Sequence, residues 1–85
     1  MYNIEWERKA RKQLAKIDGK TTREEVYDST ERLRDLQNAE HVKKLSNHKY
    51  GYRLRVGRYR VFFDVAESVK IIHIEEVKKR DDRTY

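Results

Sequence analysis

The chain has 85 residues, of which 36% are hydrophobic and 42% are charged, and its 21 basic and 15 acidic residues give a net charge of +6. This length predicts one small domain over residues 1–85 with a modest core. The lack of cysteine excludes disulfides and thiolate zinc sites, and no apolar run approaches the length of a transmembrane span. We therefore expect a cytoplasmic protein that makes no membrane contact.

The N-terminal half predicts a strand followed by two helices. Residues 2–6 alternate apolar and polar side chains, which is typical of a half-buried strand. Residues 7–17 combine helix formers with apolar positions at helical spacing, and Gly19 is a natural stop for this helix. A second helix is predicted to end near Gln37. Either of two capping boxes could begin it: Thr21 with Glu24, or Thr22 with Glu25.

The C-terminal half predicts three strands. Residues 38–48 are predicted to be a polar connection, two strands follow at about 50–56 and 59–65, and a last strand over 69–77 precedes a charged tail. The predicted order is β-α-α-β-β-β. It indicates an α+β fold in which a helical hairpin packs on one face of a four-stranded, mainly antiparallel sheet. The other face of the sheet stays open.

The most informative segment runs from His41 to Phe63, which contains seven Lys or Arg, two His and no carboxylate. A two-residue type II′ turn at Gly57-Arg58 would place Arg55 directly opposite Arg60, on the face that alternates with the apolar residues. Like charges at opposite positions cost stability, so the pair favours a role in binding a polyanion. The alternative is a solvated pair on a basic surface.

The order of elements, the hairpin sequence YRLRVGRYRVFF and the basic tail ending in Tyr85 resemble the RelE/ParE toxin superfamily of bacterial type II toxin–antitoxin modules. The resemblance covers the whole chain and implies a RelE-like fold. For the RelE-like branch it implies a ribosome-dependent, metal-independent endoribonuclease that cleaves mRNA during translation. A ParE-like inhibitor of DNA gyrase without nuclease activity is the alternative, and a nucleic-acid-binding module without chemistry is a third hypothesis.

The resemblance also implies which residues act. Carried over by position, the catalytic residues are Arg53, Arg55, Arg60, Arg80 and Tyr85. The residues expected to bind substrate are Lys49, Arg58, Lys78 and Lys79. Counting back from Tyr85 favours Lys79 as the tail cation, whereas residue type favours Arg80. Tyr85 is expected to act as the general base or to stack on a base of the mRNA, and no cofactor or metal is expected.

The partners implied by the resemblance are the decoding site of the small ribosomal subunit with its rRNA, the mRNA, and a cognate RelB-like antitoxin. This antitoxin is expected to cover the basic face with an acidic or amphipathic segment. His48 and His73 are the other candidates for proton transfer near neutral pH, and a structural or surface role is the alternative for both. Glu75 and Glu76, as neighbours on a strand, should point to opposite faces of the sheet, which argues against a carboxylate pair.

Overall fold

The structure is a computed structural model that describes residues 1–80. Its elements follow in the order β1 (Asn3–Trp6), α1 (Arg8–Ala15), α2 (Lys20–Glu31), a 3-10 helix (Arg32–Asn38), β2 (Val42–Lys44), β3 (Tyr52–Val56), β4 (Tyr59–Ala66) and β5 (Ile71–Lys79). The α+β fold is confirmed. Within residues 1–80, no helix has the length and apolar character needed to cross a membrane.

All five strands form one sheet in the order β1-β5-β4-β3-β2. β1 runs parallel to β5, whereas the other neighbouring strands are antiparallel. The first strand therefore lies beside the last one. Parallel neighbours need a long crossover, and here both helices and three strands separate the two in the chain.

The prediction of four strands is wrong, because a short strand lies where a polar connection was expected. β2 spans only Val42–Lys44 and pairs with β3, placing Val42 opposite Leu54. Three residues with one apolar side chain are too few to show a period of two. The segment is a strand because its backbone pairs with that of β3. Its shortness and its two lysines also limit further pairing at this edge of the sheet.

The core lies between the helical layer and one face of the sheet. Val26 of α2 and Leu33 of the 3-10 helix meet Phe63, Ile72 and Ile74 of β4 and β5, and all five side chains are fully buried. Burying a side chain of this size stabilises a fold by about 1.5–3 kcal/mol relative to leaving it exposed. The alternating residues of β3 and β4 therefore point away from the helices.

The turn between the helices differs from the prediction. α2 begins directly after Gly19, which has φ +89° and caps the helix without a side-chain hydrogen bond. Both capping-box predictions are wrong, since Thr21 and Thr22 already lie inside the first turn of α2. In the turn between the helices, Arg23 Nη1 donates a hydrogen bond of 2.9 Å to the carbonyl oxygen of Ile17.

The β3–β4 hairpin has the predicted register. Val56 lies opposite Tyr59, and Arg55 lies opposite Arg60. Gly57 has φ +55°, whereas Arg58 is not among the residues with positive φ, which is the pattern of a type II′ turn. This turn fixes the positions of the basic side chains on the open face.

Candidate nucleic-acid interface

The face of the sheet away from the helices carries side chains in rows that run across the strands. The row nearest the hairpin turn contains only cations, since Arg55 lies opposite Arg60 and Arg60 lies opposite Lys78 of β5. Side chains at directly opposite positions have Cβ atoms about 4.5–5.5 Å apart. The three side chains, called here the cationic row (Arg55, Arg60, Lys78), can therefore reach a common phosphate group.

The second row adds another guanidinium. Arg53 lies opposite Lys43 on one side and Phe62 on the other. The Nε atom of Arg53 is buried and has no hydrogen-bond acceptor among residues 1–80. An unsatisfied buried donor costs about 1–3 kcal/mol, so a bound anion that accepts from this nitrogen would remove a penalty. In the same part of the chain, no carboxylate forms an ion pair with Arg53 or Arg55.

The third row reverses the sign of the surface. Asp64 of β4 lies opposite His73 of β5, which in turn lies beside Glu5 of β1. His73 Nδ1 is 3.1 Å from Glu7 Oε2. Ligand atoms of Glu5, Glu7 and His73 lie within 4.8 Å of one another, a spacing that a cation could use. These residues, with Asp64, are called here the anionic end (Glu5, Glu7, Asp64, His73), and they repel a polyanion.

A β-bulge adds a further carboxylate next to this anionic end. Phe62 lies opposite Glu76 while Phe63 lies opposite Ile74, so Glu75 is the extra residue on β5. The regular alternation that predicted opposite faces for Glu75 and Glu76 is interrupted at this point. Burial raises the pKa of Glu75 above its usual range, and the nearby carboxylate of Asp64 raises it further.

The basic residues of the tail separate onto two sides of the sheet. Lys79 pairs with Tyr59 and borders a small cavity on the side of the helices, away from Arg60. The backbone N–H of Arg80 donates a hydrogen bond of 2.6 Å to the carbonyl oxygen of Arg58. Arg80 and Arg58 therefore lie together at the hairpin turn, next to the cationic row. Tyr85 lies outside the described residues.

An aromatic cluster on the open face was not predicted from the sequence. The imidazole of His48 stacks on Phe62, with ring centroids 5.1 Å apart and planes 13° apart, and Tyr50 lies 5.8 Å from the same ring. Lys49, a predicted substrate-binding residue, places Nζ 5.4 Å from the centroid of the Tyr50 ring. The signal that could have revealed the cluster is Phe62 itself, an apolar residue on the arginine face.

A groove of the described residues borders the cationic row at Arg55. It has a volume of about 630 Å³ and runs between the 3-10 helix and the segment before β2. Its lining mixes cations such as Arg32 and Arg34 with carboxylates such as Glu31 and Asp35. Such a mixture produces little net field, whereas the cationic row presents one sign of charge. We therefore take the open face as the candidate interface.

Comparisons with known proteins bear on the family and the fold of the chain. A family model for the ParE toxin of the type II toxin-antitoxin system, parDE, matches residues 4–83. Among solved structures, the chain is similar to the archaeal RelE of the RelE-RelB complex from Pyrococcus horikoshii OT3, with 26% identity, a TM-score of 0.78, and coverage of 95% of this chain and 97% of that chain. No curated protein sequence matches the chain.

Two bacterial structures show the same fold at lower identity. The toxin of the intact E. coli RelBE toxin-antitoxin complex is 20% identical, with a TM-score of 0.77 and coverage of 95% of this chain and 99% of that chain. The RelBE2 complex of Mycobacterium tuberculosis gives 20% identity, a TM-score of 0.76, and coverage of 93% and 98%. The fold is thus shared over nearly the full length of both chains.

Proposed function

The chain belongs to the ParE toxin family of type II toxin–antitoxin systems, within the RelE/ParE superfamily, and we propose that it acts as a ribosome-dependent endoribonuclease that cleaves mRNA. The single observation that supports this proposal is the cationic row, with Arg53 one row behind it on the same face. A protein that only inhibits another protein has no need for a row of neighbouring cations suited to binding phosphate. We accordingly place the protein in the cytoplasm, where translating ribosomes are found.

The proposed reaction is an internal transfer that needs no metal. The 2′-hydroxyl oxygen of one nucleotide attacks the adjacent phosphorus atom, a bond forms between them, and the bond from phosphorus to the 5′-oxygen of the next nucleotide breaks. The products are a 2′,3′-cyclic phosphate and a free 5′-hydroxyl. The reaction requires a base for the 2′-proton, a proton for the 5′-oxygen, and cations for the charge on the phosphorane.

Arginine suits the last of these roles. Its planar guanidinium stays charged and donates two parallel hydrogen bonds to phosphate oxygens. We assign Arg60 and Arg55 to the scissile phosphate and Arg53 to the neighbouring backbone, with Lys78 adding charge. Donors of this kind, aimed at developing charge, contribute about 2.7–4 kcal/mol each to transition-state stabilisation.

The proton transfers are assigned to the C-terminal tail, with Tyr85 taking the 2′-proton and the tail cation donating a proton to the 5′-oxygen or stabilising its negative charge. Tyr85 is the proposed base, since cations near a phenol stabilise its phenolate form. The hydrogen bond between Arg80 and Arg58 supports Arg80 as the tail cation, because Lys79 lies on the side of the helices. Arg58 and Lys49 are the remaining proposed contacts to substrate.

The ribosome supplies what this small face lacks. Arg55 and Lys78 of the cationic row are exposed, so the row lies on an open surface that gives a flexible RNA strand little orientation. Binding in the decoding site would fix the mRNA geometry, and positioning of this type contributes about 7–11 kcal/mol in favourable cases. We therefore expect rapid cleavage of mRNA on ribosomes and very slow cleavage of free RNA.

An antitoxin is the proposed protein partner. The P. horikoshii and E. coli structures that resemble this chain are complexes of RelE with RelB. A RelB-like protein with an acidic segment would complement the cationic row and block access of RNA. Such a segment should protect RNA from cleavage in a salt-sensitive way, because charge complementarity is screened by ions.

Gyrase inhibition is the second candidate, and the match of the ParE family model favours it. The two functions separate in a paired assay. Purified protein is added to translating ribosomes, with cleavage mapped by primer extension, and to gyrase, with supercoiling measured. Cuts that require ribosomes support the nuclease. Inhibition of supercoiling without any cuts would replace it with the gyrase proposal.

A further inference from the structure

We infer that the aromatic cluster (His48, Tyr50, Phe62) is a binding site for one RNA base, adjacent to the phosphate held by the cationic row. This inference rests on the proposed RNA substrate and deepens it, because it adds a site that contacts a base. Contacts to phosphate position a nucleic acid and are alike at every nucleotide. Contacts to a base can select a particular nucleotide.

The location of the cluster fits a nucleotide. Phe62 lies directly opposite Arg53 and two residues along β4 from Arg60, on the same face of the sheet. Two residues along a strand span about 6–7 Å, which is the scale of the distance between the phosphate and the base of one nucleotide. A phosphate on Arg60 or Arg53 would therefore leave its base within reach of the rings.

The outer ring of the cluster is available to a ligand. His48 covers Phe62, which is only 8% exposed, while His48 itself is exposed. One face of the imidazole is therefore occupied by Phe62, and the other is open. Stacking on an aromatic ring tolerates any base, since every base has a π-face.

The same ring also presents one directed donor. The backbone N–H of Tyr50 donates a hydrogen bond of 3.0 Å to Nδ1 of His48. An imidazole that accepts at Nδ1 is the neutral tautomer with its proton on Nε2. Nε2–H has no acceptor within residues 1–80, so it can donate to a carbonyl or ring nitrogen of a stacked base.

The loop that carries His48 is held in place before any ligand binds. Leu45 N–H donates to the carbonyl oxygen of Gly51 at 2.8 Å, which closes the loop. Gly51 N–H donates to Asp64 Oδ1 at 2.7 Å, which ties the loop to β4. Asn47 has φ +53°, a conformation that asparagine tolerates better than most residues. A preformed platform reduces the entropy lost on binding.

The charges around the cluster predict on which side of it the RNA backbone lies. Lys49 lies over the ring of Tyr50, and the cationic row lies on the side of the hairpin turn. On the opposite side, Asp64 and Glu75 repel phosphate. The RNA backbone should therefore follow the cations, with one base turned inward onto His48.

The competing explanation is that His48 only shields Phe62 from water. Both explanations predict that removal of the ring destabilises the fold, so stability does not separate them. They differ in what the ring does for one base of a bound strand. A ligand that lacks a single base therefore provides the decisive comparison.

The experiment uses fluorescence anisotropy with a short single-stranded RNA and with the same RNA carrying one abasic site, moved through every position. For the wild-type chain we expect one abasic position to weaken binding about 5- to 150-fold, the range that stacking on an aromatic side chain gives. The His48→Ala variant should show the same loss with the intact RNA and no sensitivity to that position. His41→Asn, a histidine change away from the cluster, should behave as the wild type.

His48→Phe keeps the test decisive if the alanine variant unfolds, which thermal denaturation would show. It retains the stacked ring and should retain the sensitivity to the abasic position. Equal sensitivity of the wild type and His48→Ala, loss of sensitivity in His48→Phe, or no sensitive position in the wild type would each overturn the inference. A wild-type protein that binds RNA in this way without cutting mRNA on ribosomes would refute the nuclease and leave the base site supported.

Discussion

Arg55 and Arg60 lie directly opposite each other across the β3–β4 hairpin. Two guanidiniums at such positions repel each other, and Lys78 on the next strand extends the repulsion. The fold therefore places three cations side by side on its open face. A bound phosphate converts this repulsion into shared hydrogen bonding, which explains why the arrangement suits an RNA-binding surface.

Replacing Arg60 should nearly abolish cleavage. Arg60→Ala removes a proposed donor to the phosphorane, and we expect the single-turnover cleavage rate on ribosomes to fall about 10²- to 10³-fold. Arg60→Lys keeps the charge without the bidentate geometry and should recover only part of the rate. Arg32→Ala, an exposed arginine on the 3-10 helix, is the matched control and should cleave normally. Equal rates for Arg60→Ala and Arg32→Ala would exclude Arg60 from the reaction.

Replacing Arg55 should change how RNA binding depends on salt. A cation that contacts one phosphate of single-stranded RNA contributes about 0.7 to the slope of log K against log salt concentration. For Arg55→Ala we expect the magnitude of this slope to decrease by about that amount. Binding titrations of a short RNA between 50 and 200 mM salt, roughly the range over which such dependence is measured, would show it. An unchanged slope would mean that Arg55 does not contact a phosphate.

The hairpin turn should be sensitive to the conformation required at Gly57. Its φ of +55° is unfavourable for a residue with a side chain, although nothing lies within 4 Å of an added Cβ. We expect Gly57→Ala to lower the free energy of unfolding by about 1–2 kcal/mol. Gly57→Asn should cost less, because asparagine tolerates this conformation. Urea denaturation measures both values, and equal losses in the two variants would show that conformation is not the cause.

The contribution of Glu75 to stability should be less favourable at neutral pH than at low pH. Its pKa is raised above the ordinary 4.5 by burial and by Asp64 and Glu7. Between the ordinary and the raised pKa, the folded state binds more protons than the unfolded state, so stability falls as pH rises through this range. Above it, the full cost of the charged carboxylate is present.

Glu75→Gln should therefore raise the free energy of unfolding at pH 7, and the gain should vanish as the pH falls below the ordinary value. Urea denaturation at several pH values measures this. Glu76→Gln is the matched control. It loses an ion pair of 3.5 Å with Lys9, so it should not gain stability at pH 7. A Glu75→Gln variant that is less stable than the wild type at neutral pH would contradict the assignment.

The sequence predicted the parts of the fold that local patterns encode. Alternation over Tyr52–Val56 and a glycine at the turn were enough to fix the hairpin register and the facing arginines. β2 was not predicted because three residues are too few to show the alternation of a strand. The capping boxes failed because Gly19 begins α2 before either threonine can serve as a cap.

The features of the site that were missed depend on contacts between distant segments. His48 stacks on Phe62 because the loop closes through Gly51 and Asp64, and no local pattern encodes that closure. The raised pKa of Glu75 likewise follows from a bulge and from carboxylates on other elements. The choice between Lys79 and Arg80 as the tail cation could not be made from the sequence, because it depends on how β5 pairs with β4.

Mapping of mRNA 5′ ends in cells that express the wild-type chain or Arg60→Ala tests the central proposal most directly. The nuclease account predicts growth arrest with new 5′ ends inside translated regions for the wild type, and neither effect for the variant. Growth arrest by both proteins without new 5′ ends would contradict it.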